Sequence, residues 1–314
     1  MRALLEHRLA GVVAMAAIVA VLPLLFPSAY YYRVAALVFV FALAAVGLNL
    51  LMGLAGQVSL GHAGFMGIGA YAVAIGPTHL GVPSWLSFVI GAALAAVTAF
   101  VVGRPILRLK GHYLAVATLG FGLLLAIVFT NEARWTGGPD GMSVPRLLVF
   151  GLPVRGADTW YWITAAGLLI GAALANNLID SPTGRALAAI HDSEVAARVL
   201  GVDAAKKKLA VFVISAVYAS VAGSLFALLN GHITPDVSGF LRSIELVAMV
   251  VLGGMGSVAG SLVGAALLVV LPQTLTALHD YEHMVLGLVV MAVMIFLRAG
   301  IVPTLASALA ARRA

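Results

Sequence analysis

Apolar residues run along this chain in blocks of roughly twenty, separated by short polar or glycine-rich breaks. That spacing is what an α-helix needs to cross a hydrocarbon core. The blocks are Leu9–Phe26, Val34–Met52, 60–76, 84–103, 112–130, 159–179, 209–229, 244–253, 258–271 and 284–297. Arg2 and Arg8 precede the first block. It is longer than a signal-peptide core and runs into Pro27 without a cleavage site, so it reads as a span. Tyr30, Tyr31 and Tyr32 form an aromatic cluster suited to a membrane interface.

The break Gly254-Met255-Gly256-Ser257 decides the topology. One helix over 244–271 would be about 42 Å long, more than a hydrocarbon core of about 30 Å requires. With the break counted as a turn and the amino terminus inside, most of the 18 Lys and Arg fall on the cytoplasmic side. Without the turn, Arg298, Arg312 and Arg313 move outside and the bias nearly disappears. The positive-inside rule therefore favours an all-α, polytopic membrane protein of about ten segments with both termini cytoplasmic, a single transmembrane domain over 1–314.

One polar island interrupts the apolar text: Asp180 to Lys208, with nine charged residues between two long apolar runs. Ala186, Leu187, Ile190, Val195, Val199 and Leu200 recur within it at three- and four-residue steps, which predicts short amphipathic surface helices. Thr183 or Ser181 is placed to cap the first and Gly201 to end the second. A solvated loop and a docking surface for a cytoplasmic partner both fit.

Composition narrows the function. With 62% hydrophobic residues, 10% charged and a mean hydropathy of +1.09, the chain is far more apolar than a soluble domain. Its net charge of +6 is spread over loops and gives no nucleic-acid stripe. There is no cysteine, hence no disulfide, thiolate nucleophile or thiolate metal site. All 12 Asp and Glu lie outside the predicted spans or at their edges. Proton-coupled carriers and intramembrane hydrolases bury such groups, so the driving force is expected from elsewhere. A phosphate loop is absent from the sequence, so any nucleotide energy must come from another subunit.

The most unusual local sequence is GLNLLMGLAGQVSLGHAGFMGIGAYAVAIG, Gly47 to Gly76. Its glycines, Gly61 and Gly64 among them, permit close helix approach or a helix break, with Asn49, Gln57, Ser59 and His62 nearby. Tight packing and a lining of the translocation path are the two readings. Gly53, Gly56, Val58 and Gly64 match Gly253, Gly256, Val258 and Gly264 at constant offset, which fits an internal repeat and fits chance equally. The outer loop over 131–158 contains RWTGGPDGM, rich in turn residues, a connector or a contact surface. His279 and His283, with Asp280 and Glu282 between them, have the spacing of metal ligands on a helix but no third ligand, so no metal site is assigned.

Four segments together resemble the permease subunits, of the type called M, of branched-chain amino acid ABC importers. They are GLNLLMGLAGQVSLGHAGFMGIGAY, TGGPDGM, SPTGRALAAIHDSEVAARVLGVDAAKKKLAVFVISA with AGSLFA, and VVLGGMGSVAGSLVGA. The resemblance implies a multi-pass protein of a prokaryotic plasma (inner) membrane without bond chemistry of its own. Its implied partners are a homologous second permease, two cytoplasmic ATPase subunits that use ATP, and a soluble or lipid-anchored substrate-binding protein. The family's coupling loop maps onto Gly184 to Lys208, with Ala196, Ala197 and Gly201 in its A-A-x-x-x-G core and Gly184, Arg185, Asp192 and Glu194 beside it. His191 departs from the family's usual Arg and gives up a permanent charge. A urea or short-amide importer of the same family, or a carrier acting alone, is the alternative; for a membrane enzyme no nucleophile and base stand at suitable spacing.

Overall fold

The computed structural model describes residues 2–109, 111–149, 152–274, 282–297 and 299–311. It is helical almost throughout. In order the helices are α1 (Arg2–Val21), α2 (Ala29–Asn49), α3 (His62–His79), α4 (Ser84–Ile106), α5 (His112–Asn131) and α6 (Ala133–Thr136). The second half holds α7 (Ala157–Asp180), α8 (Pro182–Asp192), α9 (Glu194–Val199), α10 (Ala204–Asn230), α11 (Phe240–Gly253), α12 (Val258–Thr274), α13 (Glu282–Phe296) and α14 (Ile301–Ala311). Each of the ten apolar blocks falls on helix; α14 carries an apolar stretch that the blocks did not include. Among the described residues five helices are long and apolar enough to cross a membrane: Ala29–Leu54, Ser84–Ile106, His112–Asn131, Ala157–Asp180 and Ala204–Asn230. Shorter apolar stretches lie at Gly11–Leu25, Val258–Gln273 and Val290–Leu305.

The interior is built around α2, α3 and α10. Almost every residue of α3 from His62 to Gly76 is buried, which requires neighbours on all sides and a helix thin enough to admit them. Small residues provide that thinness. A Cβ on Gly69 would stand 1.9 Å from the Ser220 carbonyl oxygen, and Ser224 Oγ donates to the Gly69 carbonyl at 2.9 Å. One turn earlier Phe65 packs edge-on to Phe212, also on α10, and towards α5 Tyr71 stacks on Phe129 with centroids 4.4 Å apart.

Loops collect at two ends. At one end lie the 55–61 linker, the start of α10 beside Gly103, the α8–α9 island and the 254–257 turn, with the start of α14 against Gly254. At the other, Met142–Ser143 pairs antiparallel with His232–Ile233, Tyr30 donates to Gln273 at 2.6 Å and Arg33 to Asn230 at 3.1 Å. The 131–158 loop is thus stitched to the start of the 231–239 segment and also folds a small hairpin, Leu148–Val149 against Leu152–Pro153.

The 254–257 break is a reversal. Gly253 stands against Gly260 and Met249 against Gly264, so α11 and α12 run back along each other. The matched break over 55–61 is built differently, since α2 and α3 both pack on α10 instead of folding onto one another as a hairpin. The two breaks thus differ in how their flanking helices pack, although Gly56 and Gly256 share a left-handed backbone, at φ +62 and φ +79. Asn49, at the end of α2, holds the reversal: its side-chain amide donates to Ser257 O and Ser261 Oγ, each at 2.9 Å, and its carbonyl accepts from Gly256 N at 2.8 Å. Past Asn49 the helix widens into a π turn, Leu50–Leu54, and Gly53 meets Gly256 backbone to backbone.

Replacing Asn49 by Leu strips a partner from the buried Ser261 hydroxyl, worth about 1–3 kcal/mol when left unpaired, and from the less buried Ser257 carbonyl and Gly256 amide. The expected result is a clear drop in the thermal midpoint of the purified protein, with Asn49→Asp failing to restore it because a carboxylate cannot donate. An unchanged midpoint for Asn49→Leu would mean that the reversal is held by helix packing alone.

Candidate functional site

The island folds as two capped helices at one end of the bundle. Ser181 caps α8, its Oγ accepting from Gly184 N at 3.1 Å, as one of the two expected residues does; Ser193 caps α9 from Ala196 N at 3.3 Å and Asp203 caps α10 from Lys206 N at 3.1 Å. Gly201 ends α9 at φ +84, a conformation that an L side chain resists. Gly184 is fixed by proximity, since a Cβ there would lie 2.1 Å from the Ile179 carbonyl oxygen, so α8 turns tightly off the end of α7. Arg185 closes that corner by donating to the Asp180 carbonyl at 2.9 Å.

The two faces of the island differ sharply. Leu187, Ile190 and Ala197 point into the bundle, while Val195, Val199 and Leu200 are 74%, 82% and 80% exposed. Ala197 therefore serves the inner face, and of the pair Ala196 and Ala197 only Ala196 is available on the outside. Asp192 and Arg185 are exposed. Glu194 ties α9 down: Lys208 donates to it at 2.6 Å and Arg198 pairs with it one turn away. Lys207 reaches Thr183 at 3.1 Å, and Lys206 pairs with Asp203 at 3.0 Å. The hydrogen bond from Lys208 holds the Glu194 carboxyl below its ordinary value of 4.5, burial opposing and the nearby cations reinforcing it. The Lys206 backbone amide does the same for Asp203.

His191, at the end of α8, leans on the 55–61 linker: a Cβ on Gly56 would lie 2.9 Å from its Nδ1. The linker leads directly into the buried polar group picked out by the sequence. Ser59 Oγ meets His62 Nδ1 at 2.8 Å, and His62 Nε2 meets Ser215 Oγ at 2.5 Å. Gln57 is buried with its Oε1 unpartnered among the described residues. Gly61 stands against α5, where a Cβ would be 2.1 Å from the Thr118 carbonyl oxygen, and Gly64 faces Leu125 and Gly122. Thr118 Oγ1 accepts from Leu60 N at 3.0 Å, and Ser243 Oγ from Ala63 N at 3.2 Å. Asn49, Gln57, Ser59, His62, Gly61 and Gly64 thus lie inside this chain. Their partners Thr118, Ser215, Ser243 and Ser261 were missed, because a lone hydroxyl in an apolar helix gives no local signal.

Among the described residues no group of three His, Asp or Glu is placed to hold a metal. His279 and Asp280 lie outside the described residues.

An all-helical chain with long apolar helices, glycine-mediated backbone contacts and a capped amphipathic pair at one end has the architecture of a polytopic membrane permease. The family model described as the permease component of branched-chain amino acid transport systems matches residues 30–296, so the chain belongs to that family. It is 35% identical over 294 residues to the high-affinity branched-chain amino acid transport system permease protein LivM of Escherichia coli, covering 86% of this chain and 69% of that one. It is 24% identical over 232 residues to a probable LivM of Methanocaldococcus jannaschii, 67% and 66% of the two chains. To the high-affinity branched-chain amino acid transport system permease protein LivH of Escherichia coli it is 26% identical over 250 residues, 73% and 79% of the two chains. No solved structure matches.

Two outcomes follow. Glu194 has a lowered folded-state pKa, so its pairing stabilises α9 fully above the ordinary carboxylate value and loses that contribution as pH falls through the depressed one. Lys208→Met is expected to raise amide hydrogen exchange over 194–202 at neutral pH, far more than Lys206→Met, since the Lys206 side chain is 86% exposed in its pair with Asp203. Equal effects would show that the brace lies elsewhere. Gly61→Leu is expected to abolish assembled protein, since the Thr118 backbone has nowhere to retreat. Normal assembly with reduced uptake would instead mark a surface of the pathway.

Proposed function

We propose that this chain is the permease subunit of an ATP-driven importer of branched-chain amino acids in a prokaryotic plasma membrane. It works without catalytic residues or a bound cofactor. In this reading it pairs with a homologous second permease, two cytoplasmic ATPase subunits that use ATP, and a binding protein that delivers the amino acid. The observation that carries it is the α8–α9 unit, braced from within and presenting three apolar side chains outward. Burying each is worth roughly 1.5–3 kcal/mol, against about 0–1 kcal/mol for an exposed ion pair, so docking is chiefly apolar. The end of the bundle that holds α8–α9 is the cytoplasmic one, by the positive-inside bias, and both termini lie there, with about ten crossings.

Coupling then follows a short physical route. Movement of α8 presses His191 on the 55–61 linker, and the linker enters α3, which is seated backbone to backbone on α5 and α10. A rigid element with such contacts shifts as a unit. The buried residues Asn49, Gln57, Ser59, His62, Gly61 and Gly64 serve the translocation path by positioning α3 and the 254–257 turn, not by touching the amino acid.

Val199→Asp combined with Leu200→Asp is expected to leave the protein in the membrane, abolish co-purification of the ATPases and remove ATP-driven uptake of leucine in vesicles. Retention of both activities would refute the docking surface; uptake that persists without ATP would point to a carrier acting alone. Because the chain has no cysteine, single cysteines at 199 and 305 are expected to react only with a cytoplasmic-side label and one at 140 only from outside. Labelling of 305 from outside would overturn the topology.

A further inference from the structure

At the end of the bundle opposite the island, α2, α10, α11 and α12 enclose a cavity of about 360 Å³, within the roughly 300–1,000 Å³ that small-molecule sites occupy. Its lining divides into two chemistries. Phe41, Phe226, Met249 and Leu268 supply an apolar wall, while Arg242 and Glu245 supply one charge of each sign beside the amides of Asn230 and Gln273. Arg242 is held in place: its Nη1 donates to Glu245 Oε2 at 2.5 Å, and its guanidinium lies over the Phe41 ring, 4.9 Å from the centroid. That leaves Arg242 Nη2, Glu245 Oε1, Asn230 Nδ2 and Gln273 Nε2 without hydrogen-bond partners among the described residues. The two charged side chains are 28% and 42% exposed, so a molecule in the cavity can reach both. Arg242 Nε is sealed off and takes no part.

We infer that this cavity binds a free zwitterionic amino acid with an apolar side chain, its carboxylate on Arg242 and its ammonium on Glu245. Burying either charge alone would be prohibitive, and here each meets its opposite within one turn of α11. The free amide donors of Asn230 and Gln273 suit the remaining lone pairs of the carboxylate, and the apolar wall suits a branched aliphatic side chain. A neighbouring cavity that shares Asn230 shows what the selection depends on: Arg146 and Arg155 line it without an acid, so it offers an ammonium nothing. A partly solvated site binds weakly, which passage requires, since a ligand held too firmly is not released. Identifying the zwitterion with leucine, isoleucine or valine, and this end with the outer face, rests on the function proposed above; the charge pattern of the cavity does not.

The test is binding of radiolabelled leucine by the full-length chain in nanodiscs of phosphatidylglycerol, read by scintillation proximity. Saturable binding is expected, displaced by isoleucine and valine but not by isocaproate, which lacks the ammonium, or isoamylamine, which lacks the carboxylate. Arg242→Met and Glu245→Gln should each weaken it roughly tenfold or more, and Arg146→Met should not. Glu245→Gln keeps the shape of the side chain and an acceptor for Arg242, so it carries the test should Arg242→Met fail to fold. No saturable binding by the wild-type chain, or equal binding by all variants, overturns the inference. So does displacement of leucine when phosphatidylethanolamine is added to the nanodiscs, which would make this a lipid headgroup site. ATP-driven uptake by the assembled transporter separates site from function: wild-type binding without uptake refutes the proposed importer and leaves the site, whereas normal uptake by both variants refutes the site and leaves the importer.

Discussion

Within a bilayer every backbone N–H and C=O must find its partner inside the protein, and this constraint governs the two breaks inside the bundle, at 55–61 and 254–257. The 254–257 reversal is satisfied by the side chain of Asn49, whose amide bridges Ser257 and Ser261 while its carbonyl takes Gly256 N. The entry to α3 is satisfied by Thr118 and Ser243, from two other helices. Breaks held this way are precise and come at a cost in composition: a few polar side chains must lie deep in an apolar interior. Helices that end at such points are fixed relative to one another, which is what a part that must move as a unit requires.

The same end of the molecule carries the α8–α9 island, and its chemistry is the reverse. Inside, Lys208 and Glu194 use a charged hydrogen bond to hold a short helix in place; outside, valine and leucine stand in solvent. Three exposed apolar side chains grouped on a capped frame are what the proposed docking surface uses. His191 joins the two regions by leaning on Gly56, at the foot of the linker into α3.

Much of this was legible along the chain. The apolar blocks located the helices, the island's three- and four-residue steps located α8 and α9, and Ser181 and Gly201 bound them as their chemistry suggests. Positive charge favoured a turn at 254–257, and the reversal is there. What was hidden is long-range. Asn49 and Ser261 are 212 residues apart, and neither stretch announces the other. Ala197 resembles Ala196 in the sequence, yet packing turns it inward. The lysines read as a topological signal, whereas Lys207 and Lys208 also bind the island together, a role visible only once α10 is folded beside α8 and α9.

The central claim is that the island is the docking surface and that it acts through the 55–61 linker. Hydrogen–deuterium exchange on the assembled transporter, with and without ATP, tests both halves at once. Protection is predicted over 194–202 when the ATPase subunits bind, with a change over 55–61 when ATP is added. Protection confined to 104–111, or a 55–61 segment indifferent to ATP, would contradict it.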